Sequence, residues 1–310
     1  AGYNDWIKFN QEAEKLGYYS TFTVEHHFTG LGQVSASMSL LTFLAAKTST
    51  IRLGTAVMAL PWHNPILLAE QASTLDLLSG GRLDFGVGKG YRYNEFHGFD
   101  IKMDEAHERY DDCLQIILKC WNEKKKWNHK SEYWTFNDVI VEPPCTQKPH
   151  PPIWMAAGHT DCIKKVAQQN CNLLLDQFSP VSTVIKRVNI FNDELNNLGI
   201  KNKPQIALAR AMYIAKDKKE KEEIINKRLK ARENIDKLSQ RPDGNNKSSI
   251  MVHKGTEEAY QGALIGTKEE IIDRIKELKE GGINYILLVD NGCGIKGLDK
   301  FANQIMPSIQ

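Results

Sequence analysis

Short apolar runs alternate with helical patterns along most of this chain, and that alternation restricts the fold more than any other feature. The runs are nearly continuous in apolar residues, which is typical of strands buried on both faces. The seven candidate strands are Tyr19–Val24, Ile51–Leu60, Arg82–Gly88, Pro152–Ala157, Asn172–Phe178, Gln205–Ala215 and Asn284–Val289. The helical patterns between them include Ala36–Lys47, Pro65–Leu78, Glu105–Trp121, Val181–Leu198 and Lys268–Lys279. A β-α-β-α order predicts a parallel sheet in an α/β fold.

A helical pattern also opens the chain, before any candidate strand. It runs from Asp5 to Gly17, and the glycine suits a helix end. Seven strands after an unpaired first helix predict a (β/α)8 TIM barrel that lacks its first strand in this chain, either because the sequence is truncated or because another segment fills the gap. A seven-stranded open sheet is the alternative. We expect one barrel domain over residues 1–310.

Two long segments interrupt the alternation. Residues 122–151 are predicted to form an excursion from the barrel, with a hairpin around "YWTFNDVIVEP". Residues 216–266 begin as a charged helix and continue into a polar stretch, in which residues 239–262 are predicted to form a lid. The alternative for this stretch is a solvated insertion without a catalytic role.

The composition argues against several classes of function. The net charge is +2, 41% of the residues are hydrophobic and 25% are charged, so we expect neither a nucleic-acid nor a membrane partner. The apolar runs are far shorter than the roughly 20 residues that span a bilayer, and the start of the chain lacks the basic and apolar regions of a signal peptide. Six cysteines without a C-x-x-C pair predict free thiols. We therefore predict a cytoplasmic protein.

An acid and two imidazoles stand side by side in "VEHHFTG", residues 24–30, at the end of the first candidate strand. If the strand continues through them, His26 and His27 point to opposite faces, and only one faces the barrel interior. Neither an H-x-H pair nor an H-E-x-x-H helix is present, so we expect no metal site. A histidine at the carboxyl end of a barrel strand is either a catalytic or ligand-contacting residue or the partner of a neighbouring backbone group.

Two further strand ends carry residues suited to ligand binding. "DFGVGKGYRYNEF", residues 84–96, fails the G-x-G-x-x-G spacing but places Lys89 and Arg92 after a glycine-rich strand. It is either a tight turn or a place where backbone approaches a ligand and cations meet a phosphate. Residues 152–169 predict a strand, the turn Gly158–Asp161 and a helix. The start of that helix is either an anion site or is capped by Thr160 or Asp161.

Taken together and in order, these stretches resemble the bacterial luciferase-like flavin-dependent monooxygenases. The resemblance is carried by "VEHHFTG", by "RLGTAVMALPWHNPILLAEQASTLDLLSGGRLDFGVGKGYRYNEFHGF" and by "IGTKEEIIDRIKELKEGGINYILL" with "FANQIMP". It extends from Trp6 to Pro307 and is weakest between Lys216 and Gln261. Members of this family begin with a strand before the first helix, which agrees with the strand missing from the alternation.

The resemblance implies an oxidoreductase with a (β/α)8 fold, an FMNH2-dependent two-component monooxygenase. Reduced FMN would come from a separate flavin reductase and react with O2 to give a flavin C4a-hydroperoxide, which oxygenates a small, largely apolar organic substrate. Family members pair through barrel helices, so the resemblance also implies a homodimer. The alternatives are an F420-dependent oxidoreductase of the same fold and a non-catalytic flavin-binding subunit.

The resemblance also implies roles for individual residues. His26 would be the inward histidine, a catalytic base or hydrogen-bond partner, and Glu25, grouped with it as catalytic, would lie near the flavin ring. His27 would pack or form hydrogen bonds behind the barrel wall. Ala56 and Val57 match the pair that carries a non-prolyl cis peptide under the flavin.

The same comparison assigns the remaining cofactor-binding residues. Lys89 stands where the family commonly has an arginine that meets the flavin phosphate, and Gly90 and Tyr91 would line the flavin edge. The family's S-P-x-S phosphate turn reads Ala156-Ala157-Gly158-His159 in this chain, which is a departure. The assignment of Ala156, Gly158, His159 and Thr160 therefore depends on backbone N–H groups, one imidazole and one hydroxyl in place of serines.

Overall fold

The computed structural model describes residues 2–31, 33–244, 250 and 255–309. It divides into two compact units. The N-terminal unit is Tyr19–Trp154, and the C-terminal unit is Ala1–Tyr18 with Met155–Gln310. The first helix of the chain, α1 (Tyr3–Lys15), belongs to the C-terminal unit, and its end is followed by Gly17 with φ +82°.

Parallel strands and helices alternate in the N-terminal unit. Its elements are β1 (Ser20–Thr23), α2 (Ser37–Ala45), β2 (Arg52–Thr55), β3 (Met58–Ala59), α3 (Pro65–Leu78), β4 (Leu83–Gly88), α4 (Tyr93–Gly98), α5 (Ala106–Asn122), β5 (Trp127–Lys130) and β6 (Thr135–Val139). Short 3-10 turns lie at Leu60–Trp62 and Met103–Glu105. The chain passes into the C-terminal unit within β7 (Ile153–Ala156).

The C-terminal unit repeats this alternation. Its further elements are α6 (Thr160–Gln168), β8 (Asn172–Leu175), α7 (Val181–Asn197), β9 (Ile206–Ile214), α8 (Lys218–Ser239), α9 (Thr256–Gln261), β10 (Ala263–Gly266), α10 (Lys268–Glu280), β11 (Tyr285–Asp290), α11 (Gly294–Gln304) and a 3-10 turn at Met306–Ser308. β9 pairs in parallel with β8, β10 and β11. β8 lies along residues 206–208 of β9 and β10 along its residues 211–214, so these two partners do not overlap, whereas β11 lies along residues 207–212 and overlaps both.

The sequence predicted these elements well where apolar runs are long. All seven candidate strands are present, and the predicted helices match α1, α2, α3, α5, α7, α8 and α10 within a few residues. The excursion at 122–151 contains the antiparallel hairpin of β5 and β6. β10 was missed, because its four residues were assigned to the polar insertion and are too few to show a period.

Three other predictions concern the lid, the cysteines and membrane spans. Residues 245–249 and 251–254 of the predicted lid lie outside the described residues, between the end of α8 and α9. All six cysteines are described, and all are free thiols, as predicted. None of the helices within the described ranges has the length and apolar content needed to span a bilayer.

β1, β2 and β4 approach one another closely because glycines lie at their contacts. Phe22 of β1 lies opposite Gly54 of β2, and a Cβ at Gly54 would be 2.4 Å from the Phe22 ring. The buried Thr55 hydroxyl donates to Gly86 O at 2.7 Å and accepts from Gly86 N at 2.9 Å. A Cβ at Gly86 would be only 1.7 Å from Thr55 O. These contacts fix the carboxyl ends of the strands, where the candidate site residues follow.

We expect Gly86→Ala to destabilise the protein, because the added methyl group would displace the backbone of β2. The free energy of unfolding should fall by about 1–3 kcal/mol, the usual cost of overpacking a core. Urea denaturation measures this change. Gly2→Ser is the control, since a Cβ at Gly2 meets nothing within 4 Å and serine suits a helix N-cap. Equal stability of Gly86→Ala and the control would contradict the close contact.

Candidate active site

The segment that carries the two adjacent histidines lies beyond the end of β1. Strand pairing stops at Thr23, and the His26 N–H donates to Val34 O at 2.8 Å. The premise that a strand runs through both histidines is therefore wrong, because the chain turns to meet the residues before α2. Both imidazoles take part in one hydrogen-bond network that contains two carboxylates.

The first of these carboxylates is that of Glu25, which is 3% exposed. Its Oε1 accepts from His27 Nε2 at 2.7 Å, His63 Nε2 at 2.7 Å and Trp62 Nε1 at 2.9 Å. Its Oε2 accepts from the Ala59 N–H at 3.0 Å. Since a carboxylate accepts from both imidazoles, His27 and His63 each carry a proton on Nε2.

Burial and hydrogen bonding shift the pKa of Glu25 in opposite directions. Burial raises the pKa of the carboxyl, but the hydrogen bonds from His27, His63 and Trp62 outweigh it and lower the pKa to about 2. Glu25 is therefore ionised at neutral pH. The charge is held by donors from the loop after β1, from β3 and from the segment that follows β3.

The second carboxylate is that of Glu95, on α4. Its Oε1 accepts from His26 Nδ1 at 2.9 Å and from the His27 backbone N–H at 2.9 Å, and its side chain is 2% exposed. A carboxylate oxygen that accepts at this position places the His26 proton on Nδ1. In the neutral ring, Nε2 is then the nitrogen that can take up a proton.

Aromatic side chains surround the ring of His27. Its centroid lies 4.8 Å from Phe99, 5.8 Å from Phe28 and 6.0 Å from Trp62. The Trp62 ring stacks on Phe99 at 5.3 Å and meets Phe96 edge-on at 5.3 Å. An apolar enclosure of this kind lowers the local dielectric and strengthens the hydrogen bonds within it.

The Ala56–Val57 peptide bond is cis, as the resemblance implied. The two residues lie between the buried strands β2 and β3 and are themselves half-buried. The Ala56 N–H donates to Thr23 O at 2.8 Å, so the cis pair lies beside the end of β1. Two small apolar side chains therefore stand partly exposed close to the histidine segment.

The glycine-rich end of β4 lies against the same group of residues. Gly90 has φ +76°, and a Cβ there would be 3.0 Å from the Trp62 ring. The Tyr91 ring meets the His26 ring edge-on, with centroids 6.2 Å apart. Lys89 is half-buried, and its Nζ lies 2.7 Å from His107 Nε2.

Arg92, the second cation at this strand end, differs from the sequence-based expectation. It is 2% exposed, donates to Gln33 Oε1 at 2.8 Å and lies 5.6 Å from the centre of the Tyr91 ring. Its guanidinium is therefore enclosed beside the residues before α2. Of the two cations, only Lys89 is partly exposed.

The remaining predicted residues belong to the C-terminal unit. Ala156 is exposed at the end of β7, and α6 begins at Thr160 with His159 as its N-cap residue and no side-chain cap bond. Neither Thr160 nor Asp161 is therefore the N-cap residue. Gly158 lies in the turn that joins the strand to this helix.

The structure thus brings seven predicted residues together in the N-terminal unit and leaves four in the other unit. The seven are Glu25, His26, Ala56, Val57, Lys89, Gly90 and Tyr91. Sequence reasoning missed Glu95 and His63, whose roles depend on contacts across 69 and 38 positions of the chain. For Glu95, the available sequence signal was an acidic residue shortly after the glycine-rich strand end. Across the described ranges, no group of three or more His, Cys, Asp or Glu side chains could hold a metal ion.

Replacing Glu25 by glutamine should destabilise the protein in a pH-dependent way. The shift of the Glu25 pKa from 4.5 to about 2 corresponds to roughly 3 kcal/mol of stability. Because the folded-state pKa is depressed, this contribution is present above pH 4.5 and is lost as the pH falls toward about 2. Urea denaturation of the wild type and Glu25→Gln at pH 7 and at lower pH measures the difference.

The control for this prediction is Glu233→Gln, at an exposed carboxyl on α8. It should leave stability nearly unchanged at each pH. A difference between the wild type and Glu25→Gln that stays constant down to acid pH would contradict the depressed pKa of Glu25.

Known proteins resemble this chain in sequence. The chain is 27% identical to the oxygenase component of the flavin-dependent trigonelline monooxygenase of Acinetobacter baylyi, over 99% of this chain and 89% of that protein. It is 23% identical to the FMNH2-dependent dimethylsulfone monooxygenase of Pseudomonas putida, over 90% of this chain and 81% of that protein.

A solved structure shows the likeness in fold. An F420-dependent secondary alcohol dehydrogenase in complex with an F420–acetone adduct superposes with a TM-score of 0.85 at 17% identity, over 100% of this chain and 96% of that chain. The predicted class, a (β/α)8 barrel of the luciferase-like type, is confirmed. The sequence profile of the luciferase-like monooxygenases matches residues 1–285. The chain therefore belongs to the family of luciferase-like monooxygenases.

Proposed function

We propose that this protein is the oxygenase component of a two-component monooxygenase, which receives reduced FMN from a separate reductase and oxygenates a small organic substrate with O2. The observation that carries the proposal is the hydrogen-bonded pair of half-buried His26 and buried Glu95 beside the glycine-rich end of β4. Two relatives support it, since one is named an oxygenase component and the other FMNH2-dependent.

The residues of the N-terminal unit fit a flavin. Ala56 and Val57 offer a partly exposed surface of small apolar side chains, against which a flat ring can pack. Gly90 keeps backbone exposed where any larger residue would meet Trp62. Lys89 supplies the half-buried cation that a phosphate needs. These residues would contact the flavin ring and neutralise part of the phosphate charge. Tyr91 would border the ring beside His26.

In the C-terminal unit, the start of α6 offers N–H donors that suit an anion such as a phosphate. The first N–H groups of a helix have no partner within the helix and favour an anion. Thr160 begins α6, and no side-chain cap bond occupies this helix start. We infer that Gly158, His159 and Thr160 provide these donors, with the backbone at Ala156 leading into the turn.

Bound reduced FMN would supply the electrons that activate O2. The protein would contribute a base whose proton position is fixed in advance. Glu95 holds the His26 proton on Nδ1, so Nε2 is available to accept a proton from the substrate or to accept a hydrogen bond. We propose His26 as the catalytic residue of the site.

Glu25 has a different role in this proposal. Its carboxylate is buried, ionised and engaged by four donors, so it is a poor base. Its hydrogen bonds with Trp62, His63 and Ala59 would instead fix the backbone directly before His26 and so position that residue. Glu25 is therefore proposed as a positioning residue.

An F420-dependent oxidoreductase is the second candidate, because the F420-dependent alcohol dehydrogenase shares this fold. Anaerobic titration with reduced FMN and with F420, followed by flavin and deazaflavin fluorescence, distinguishes the two. Stoichiometric binding of reduced FMN with weaker binding of F420 supports the monooxygenase. The opposite order of affinities would replace it.

We also propose that the protein forms a homodimer through α2 and α3. Four large apolar side chains are more than half exposed on or between these helices: Phe43 at 53%, Leu67 at 56%, Leu77 at 51% and Leu78 at 64%. An apolar patch of this kind is typical of a protein interface. A second copy of the chain would cover it with the same patch.

We predict that His26→Asn abolishes most turnover without weakening cofactor binding. The Asn amide can replace Nδ1–H as the donor to Glu95 but offers no base at the position of Nε2. Loss of a general base lowers kcat by about 10²–10⁴-fold, while the Kd for reduced FMN should remain within about threefold. Incorporation of ¹⁸O from ¹⁸O2 into a panel that includes trigonelline, dimethylsulfone, aldehydes and ketones measures turnover.

The control is His27→Gln, whose amide can replace Nε2–H as the donor to Glu25. It should retain far more activity than His26→Asn. Wild-type rates in His26→Asn would contradict the catalytic role of His26, whereas cofactor binding without turnover in the wild type would favour a non-catalytic flavin-binding subunit.

We predict that Leu78→Glu converts a dimer into a monomer, because it places a charge in the proposed apolar interface. Size-exclusion chromatography with light scattering measures the mass. Leu198→Glu is the control, since Leu198 is 48% exposed but lies outside α2 and α3. A wild-type protein that is monomeric, or a Leu78→Glu variant that remains dimeric, would contradict this interface.

A further inference from the structure

A group of arginines surrounds the loop between β8 and α7 in the C-terminal unit. Arg210 of β9 donates to the backbone oxygens of Asp176 at 3.1 Å and Ser179 at 2.8 Å. Arg228 of α8 donates to Gln177 O at 2.7 Å. Arg187 of α7 reaches the same loop, so three guanidinium groups converge on it from three elements.

One carboxylate faces these three cations. Asp176 Oδ2 accepts from Arg187 at 2.7 Å and from the Ser179 hydroxyl at 2.8 Å. Its Oδ1 accepts from the N–H groups of Phe178 at 2.7 Å and Ser179 at 2.9 Å. Both oxygens of Asp176 are thus engaged within the loop and by Arg187.

Arg210 and Arg228 have only neutral acceptors. Among the described residues neither forms an ion pair, and their hydrogen bonds go to backbone oxygens and to the Gln177 side-chain amide at 3.5 Å. Arg210 is 0% exposed, and its Nε is buried without a hydrogen-bond partner in the described part of the chain. Buried arginines are normally paired, because an uncompensated buried charge is costly.

Further positive charge lies close by. The Arg232 guanidinium lies 4.0 Å from the centre of the Phe178 ring, and that of Arg228 lies 5.1 Å from it. Burial lowers the pKa of Arg210 to about 9, and the neighbouring Arg228, Arg274 and Arg187 lower it while Asp176 opposes them. Arg210 is still charged at neutral pH. The loop therefore carries an excess of buried positive charge.

We propose that Arg187, Arg210 and Arg228 form a binding site for an oxyanion, the carboxylate or phosphate group of a small molecule, at the carboxyl end of β8. An oxyanion would neutralise the excess charge and accept from several guanidinium N–H groups at once. It would give Arg210 Nε an acceptor and could replace the long contact of Arg228 with Gln177. Carboxyl ends of parallel strands are where ligands bind in α/β folds.

The proposed oxyanion site does not depend on flavin binding. The probes are inorganic phosphate and malonate, each compared with chloride at equal ionic strength. The shift of the thermal unfolding midpoint with anion concentration and isothermal titration calorimetry measure binding. Stabilisation by phosphate identifies a phosphate site, and stabilisation by malonate identifies a carboxylate site; both support the proposal.

The variants Arg210→Met and Arg228→Met should each weaken anion binding at least tenfold. In chloride alone, Arg210→Met should unfold at a higher temperature than the wild type, because it removes an uncompensated buried charge. Arg109→Met is the matched control, since Arg109 pairs with Glu105 at 2.9 Å. It should bind the anion as the wild type does.

Two results would overturn the proposal. One is the absence of stabilisation by either anion beyond that of chloride. The other is loss of the anion effect in Lys89→Met with its retention in Arg210→Met, which would place the anion in the flavin site. If the arginine variants do not fold, wild-type crystals soaked in selenate give the answer: an anomalous peak within hydrogen-bond distance of Arg210 is expected, and none would refute the site.

Discussion

The buried charge of Glu25 is the interaction on which the candidate active site depends. Its carboxylate collects donors from the loop after β1, from β3 and from the segment that follows β3, so two segments separated along the chain are fastened to one point. Those donors outweigh the cost of burial and keep the group ionised. His26 follows Glu25 directly in sequence, and its position therefore follows from this anchor.

Two carboxylates position the two adjacent histidines. Glu25 binds the ring of His27, whereas Glu95 binds the ring of His26 and the backbone of His27. Each imidazole thus has a separate partner and a defined proton position. The protons lie on opposite nitrogens, on Nδ1 in His26 and on Nε2 in His27. Two neighbouring residues of the same type can therefore have different functions, one chemical and one structural.

Sequence reasoning predicted the parts of the fold that depend on local pattern. Long apolar runs gave the strands that form most of the sheet, whereas the four residues of β10 were too few to show a period. The same limit applies to the site. The cluster at "VEHHFTG" was visible in sequence, but the partnership of His26 with Glu95 spans 69 positions and exists only after folding. The excess charge around Asp176 was equally invisible, because its arginines come from α7, β9 and α8.

In the proposed function, Glu95 fixes His26 with its proton on Nδ1 and leaves Nε2 as the base. Nitrogen-15 NMR of histidine-labelled protein tests it most directly, with the His26 signals assigned by comparison with His26→Asn. We expect neutral His26 to have a protonated Nδ1 and an unprotonated Nε2, and we expect the Glu95→Gln substitution to weaken this preference. A neutral His26 with its proton on Nε2 would contradict this role of Glu95.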